Sequence, residues 1–262
     1  MKDIALLDGF YDSKCFLTPR KCIYDRSKEI YKYIEEHKID TAILAFNKNI
    51  EKQEGVFADL LKIGEAQAGE DLHGIYVKDN ILVLVPFVGN PNASGLMEEL
   101  ADMGIKKFLA AGSAGLIDSN FDEEKFLVID RAIRDEGGSF HYAEPSLYAY
   151  TDKDITKTIT TTFDSLGIGY EVGTTWTFDS FFKESEERIK KRLSQGAKAV
   201  EMECATWCAV AKYLGVKFGQ FLFFSDKVAN DDWAKKGSKE DRINVKNQIT
   251  LLCLEIAKNL KC

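Results

Sequence analysis

Residues 199–226 read AVEMECATWCAVAKYLGVKFGQFLFFSD. Residues 199–202 begin one element, residues 204–214 set apolar side chains at helical spacing, and residues 217–224 form a continuous apolar run of strand length. The same alternation extends outward in both directions. Strands are predicted over 41–46, 74–78, 81–88, 108–111, 126–132 and 169–175, with 74–78 and 81–88 meeting at Asp79-Asn80. Helices are predicted near 27–38, 55–62, 92–103, 154–166, 184–194 and 244–258, with Glu98 and Glu99 facing outward. Strands alternating with helices argue for a mixed, largely parallel sheet covered on both faces, an α/β fold.

The 262 residues carry no Pro/Ser/Gly-rich linker, low-complexity tract or internal repeat, so one domain is expected. A net charge of −7 without a long basic run argues against nucleic acid as a partner. The longest apolar runs fall well short of the about 20 residues that a membrane span requires, and Met-Lys-Asp opens no signal peptide, so a cytoplasmic protein away from membranes is expected. Six cysteines without a C-x-x-C pair read as reduced thiols. Cys204 and Cys208 stand one helical turn apart with no histidine nearby, which favours core packing over a metal site.

Strand ends are where such sheets place chemistry. After the strand at 108–111 come Gly112-Ser113-Ala114-Gly115, read as a turn whose small residues let backbone N–H groups approach an anion, or as a plain chain reversal. Glu201 and Glu203 flank Met202 at the entry of an apolar helix. Either at least one of these carboxylates points inward and needs hydrogen-bond donors, or both complement the helix dipole. Asp226 follows Ser225 at the end of an apolar strand, where burial would raise its pKa toward neutrality, or where it would cap the next helix. Arg134 reads as one half of a structural ion pair and His141 as packing.

Taken together, residues 89–115 (GNPNASGLMEELADMGIKKFLAAGSAG), 134–142 (RDEGGSFHY), 179–182 (DSFF) with 200–205 (VEMECA), and 224–226 (FSD) resemble the nucleoside phosphorylase family of uridine phosphorylases, purine nucleoside phosphorylases and methylthioadenosine nucleosidases. The likeness covers roughly residues 41–258 and leaves 1–40 as an extension packed on a domain of 41–262. It implies a three-layer α/β/α sandwich, homo-oligomerisation and cleavage of the N-glycosidic bond of a nucleoside with phosphate or water as the nucleophile, without a metal or organic cofactor. By the same resemblance Glu203 would hold the ribose 2′- and 3′-hydroxyls, with Glu201 beside it in the substrate shell. Met202 would pack on the sugar and Phe181 on the base. Asp226, following Ser225, would supply a proton to a purine, while Gly112 and Ser113 would hold the nucleophile. These roles suit a reaction that leaves positive charge on the ribose and negative charge on the departing base.

Two departures bear on the nucleophile. Ala110 stands where the phosphorylases carry an arginine, and Asn47-Lys48-Asn49 replaces their glycine-aspartate-proline loop. Phosphate would then rely on backbone N–H groups, Ser113 and Lys48, or on arginines from elsewhere such as Arg20 or a neighbouring subunit. The nucleosidases also lack that arginine. Phosphorolysis of a purine nucleoside is the first expectation, hydrolysis the second, and a non-catalytic nucleoside-binding role the third.

Overall fold

The structure is a computed structural model describing residues 4–11, 13–227, 234–235 and 238–260, with backbone alone for 225–227, 234–235 and 239. In chain order, α1 (Pro19–His37) precedes β1 (Thr41–Ala45), β2 (Leu61–Ala68), β3 (Asp71–Lys78), β4 (Ile81–Leu84), α2 (Asn90–Asp102), β5 (Lys107–Leu116), β6 (Phe126–Asp135) and β7 (Tyr148–Tyr150). Then follow α3 (Lys153–Leu166), β8 (Tyr170–Phe178), α4 (Glu186–Ser194), β9 (Ala197–Glu201), α5 (Cys204–Leu214), β10 (Lys217–Lys227), β11 (Ala234–Lys235) and α6 (Lys239–Lys258).

One mixed sheet runs β11-β10-β6-β8-β9-β5-β1-β4-β3-β2, and β10 also pairs with β5. That additional pairing joins β10, β6, β8, β9 and β5 into a closed ring, a feature that strand-by-strand reading does not predict. Alternate side chains of β1 and β5 supply two cores, as the period of two requires. Ala42, Leu44, Phe108 and Ala110 pack with α1, α2 and α5, whereas Ile43, Ala45, Leu109 and Ala111 pack with α3 and α6. The result is the three-layer α/β/α arrangement with a mixed central sheet. Among the described residues no helix is long and apolar enough to cross a membrane.

The helices carry ordinary end signals. Thr18 caps α1 ahead of Pro19, Asp152 caps α3, and Gly215 closes α5 in the left-handed region. Cys204 and Cys208 are buried free thiols, in keeping with core packing.

Two local expectations are corrected. The helix expected over 55–62 is confined to one 3-10 turn, Gly55–Phe57, after which the chain enters β2. Among the described residues this edge strand pairs with β3 alone and is largely exposed, with Lys62, Glu65 and Gln67 interrupting its apolar residues, which hides it from a hydrophobicity reading. Gly112–Gly115 is likewise no turn, because β5 continues to Leu116. Gly112 is small for another reason: a Cβ there would stand 2.9 Å from the Phe46 ring.

Candidate active site

Glu201 ends β9 and Glu203 opens α5, and both are buried, 6% and 5% exposed. The two readings of this pair divide between its members. Glu201 serves the helix end: its carboxylate accepts from the Glu203 and Cys204 amides at 2.8 and 2.7 Å and from the Thr177 hydroxyl at 2.5 Å. Thr177 Oγ1 in turn accepts from the Ala205 amide at 2.9 Å. Three amides at the head of α5 are thereby satisfied without a capping side chain at Glu203.

Glu203 instead reaches across to the head of α2, where its Oε1 accepts from the Gly89 amide at 2.7 Å. Gly89 has φ +93°, a conformation that favours glycine and turns its N–H toward Glu203. Burial, and secondly the neighbouring charge of Glu201, raises the pKa of Glu203 above the ordinary carboxylate range. Burial does the same to Glu201, opposed by its three hydrogen bonds.

A second acidic layer adjoins them. Asp179, just past β8, accepts from the Asn90 side-chain amide and from the Gly137 amide at 2.9 Å. Asn90 is 1% exposed, and its Oδ1 is buried with no hydrogen-bond partner among the described residues. Glu136 accepts from Thr206 Oγ1 at 3.0 Å, from the Ser139 amide at 2.8 Å and from the Ser139 hydroxyl. Thr177, Asp179, Asn90 and Glu136 were not singled out as site residues from sequence. Asn90, Glu136 and Asp179 fall within the stretches that carry the family resemblance, whereas Thr177 lies outside them; the contacts that join Glu136 to Thr206 and Asn90 to Asp179 span 70 and 89 residues.

Ser113 lies in an interval of the sheet. β1 pairs with β5 up to Ala45 opposite Ala111, and β9 begins pairing at Val200 opposite Gly115. Ala111 O accepts from Phe46 N on the β1 side, and Ile117 N donates to Lys198 O on the β9 side. Backbone groups alternate sides along a strand, so the N–H of Ser113 points to this same edge, between the end of β1 and the start of the β9 pairing. The β9 chain leaves the sheet beside this interval and carries half-buried Met202 past it.

On the opposite edge of β5, Asp226 pairs with Gly115 across a bulge between Phe224 and Asp226. The backbones carrying the Glu-Met-Glu and Ser-Asp elements therefore flank one strand. The side chains of Ser225 and Asp226 lie outside the described residues. Phe181 and Phe182 sit past β8 with their rings 59% and 94% exposed, outside the buried cluster.

Among the described residues Arg134 has no direct ion-pair partner. Its guanidinium donates to Ser139 Oγ and Ser146 Oγ, both at 2.8 Å, and to the carbonyls of Glu144 and Ala143 at 2.6 and 3.2 Å. It thus fastens the segment after β6 while burial lowers its pKa. His141 is exposed. Arg20 is engaged with Asp102 at 3.3 Å and lies over the Tyr31 ring, so it is committed at the start of α1.

The family description Phosphorylase superfamily matches residues 46–258. The chain is 27% identical over 179 residues to a uridine phosphorylase of Thermococcus kodakarensis, covering 63% of this chain and 64% of that protein. It is 28% identical over 132 residues to a guanosine phosphorylase of Halorubrum lacusprofundi, covering 50% and 55%. It is 24% identical over 204 residues to a Purine nucleoside phosphorylase DeoD-type 2 of Vibrio cholerae, covering 77% and 85%. The chain thus spans less than two thirds of the length of the first two relatives. With 213 consecutive positions matched, from the end of β1 to the end of α6, the chain belongs to the phosphorylase superfamily.

Proposed function

We propose that this protein is a nucleoside phosphorylase that cleaves the N-glycosidic bond of a purine nucleoside, with inorganic phosphate as nucleophile. The observation that carries the reading is the Glu203 carboxylate, buried, anchored on the Gly89 amide and pressed upward in pKa by burial and Glu201. Such a group is short of hydrogen-bond donors, and the vicinal hydroxyls of a ribose are donors that favour its charged form. Held there, the ribose lies against an anionic wall of Glu203, Glu201 and Asp179 suited to the positive charge that develops when the bond breaks. The electron pair of the C1′–N bond leaves with the base, which Asp226 protonates, and a phosphate oxygen forms the new bond to C1′. Phosphate takes its place at Ser113, where the backbone N–H faces the interval in the sheet. Met202 packs on the sugar and Phe181 covers the base.

Hydrolysis is the second reading, favoured by one observation: the position of Ala110 is fully buried and offers no guanidinium for a dianion. A pyrimidine base is the alternative to the purine, supported by the likeness to uridine phosphorylase. Val88, Phe181 and Phe182 each expose apolar side chains of the kind that a second copy of this chain could cover, so a homo-oligomer is part of the proposal.

Inosine, adenosine, uridine and methylthioadenosine, each incubated with and without phosphate, test all of this. Phosphate-dependent release of hypoxanthine or adenine with ribose 1-phosphate is the expected result. Release independent of phosphate would establish hydrolysis, and release of uracil alone would reverse the base assignment.

A further inference from the structure

An anionic nucleophile brought beside Glu201, Glu203 and Asp179 needs a cation, and the arginines of this chain are almost all committed elsewhere. Arg20 is bound to Asp102, Arg26 to Glu99 and Gln67, and Arg131 to Thr174. Arg134 holds the segment after β6, and Arg188 and Arg192 both meet Asp135. Arg242, on α6, is engaged in interactions of its own.

The position of α6 is set by a knot of amides. Asn47, immediately past β1, donates to Asn247 at 3.1 Å and to Thr250 at 3.0 Å, and Asn49 donates to Asn47 and Asn247 at 3.1 and 3.2 Å. Thr250 therefore marks the level at which β1 ends. Four residues earlier on a helix is about 6 Å further along its axis. Lys246 thus stands beyond the strand ends, on the side of the sheet where β1 stops short of Ser113. It is half-buried while Asn244, Val245 and Gln248 are exposed, which puts it on the inward side of the helix. Its ammonium has no acidic partner among the described residues, and burial together with the charge of Arg242 lowers its pKa. A sheltered cation beside a second cation is stabilised by a bound anion.

We infer that Lys246 is the anion-binding residue of the site: α6 delivers its ammonium to the phosphate at the end of β1, a position set by the Asn47–Asn247 contact. This rests on the phosphorolytic reading, and the experiment separates the two. Phosphate is titrated against wild type, Lys246→Met, Lys246→Arg and Lys48→Met at saturating nucleoside. The phosphate-induced rise in melting temperature is measured in parallel without nucleoside.

Lys246→Met is expected to raise the KM for phosphate at least tenfold and abolish the phosphate-induced shift, with nucleoside KM within twofold of wild type. Lys246→Arg, which keeps the charge, is expected to restore most of both. A phosphate KM for Lys246→Met within twofold of wild type overturns the assignment, as does a rise confined to Lys48→Met. Base release by wild type without phosphate removes the phosphorolytic reading. In that case, loss of the phosphate-induced shift in Lys246→Met alone still supports an anion site at Lys246, and no shift in wild type overturns it.

Discussion

Replacing Thr177 by valine removes one hydroxyl and almost no volume, and that hydroxyl joins two parts of the site. It donates to Glu201 at 2.5 Å and accepts from the Ala205 amide at 2.9 Å, in a place with no access to solvent. Without it the Ala205 amide is buried without its partner, at a cost of about 1–3 kcal/mol, and the Glu201 carboxylate loses a charge-assisted bond of about 1.5–3 kcal/mol. No cavity term is added, so Thr177→Val should destabilise the protein by roughly 3–5 kcal/mol, a large share of the about 5–15 kcal/mol that holds a domain folded.

The loss should also depend on pH, with a definite sign. Burial raises the pKa of Glu201 in the folded protein, so the stability of this group is complete below its unfolded pKa and declines as pH rises through the folded value. The Thr177 hydrogen bond lowers that folded value, and removing it extends the decline to higher pH. Urea denaturation of wild type and variant at pH 5 and pH 8 should therefore give a larger difference at pH 8. A difference below 1 kcal/mol at both pH values, or one that shrinks as pH rises, would refute the account of Glu201 as the buried anchor of α5.

Two further outcomes follow from the same geometry. Glu203→Gln keeps an acceptor for the Gly89 amide but cannot ionise, so it should match wild type in stability near pH 5 and exceed it at pH 8 by denaturant midpoint. The same variant should lose at least a hundredfold in kcat/KM for nucleoside, and wild-type turnover would remove Glu203 from the ribose site. Gly112→Ala sets a methyl 2.9 Å from the Phe46 ring and should cost about 1–3 kcal/mol. Pairing it with Phe46→Leu should recover part of that loss in thermal melts, and strict additivity would exclude the clash.

The α/β class, most of the elements and the residues of the Glu-Met-Glu motif were legible in the chain, because they rest on local signals. The Cys204–Leu214 helix has its observed bounds written in apolar spacing and in Gly215 after its end. β2 was missed because an edge strand needs no apolar face, and Gly112–Gly115 was misread because small residues mark a close approach as readily as a turn.

Spacing alone could not separate Glu201 from Glu203. The division of labour comes from Thr177 on β8 and from the Gly89 amide at the head of α2, 114 residues away along the chain. The amino-acid order determined that two carboxylates would stand at the entry of an apolar helix, since propensity and hydrophobic period act over neighbouring residues. Only the packed sheet decided which carboxylate would cap that helix and which would be held for a ligand. It also decided that Ser113 faces an interval between strands, and that the twenty-residue α6 runs past the end of β1. Those outcomes depend on donors, register and strand lengths supplied by distant segments, and no local pattern encodes them.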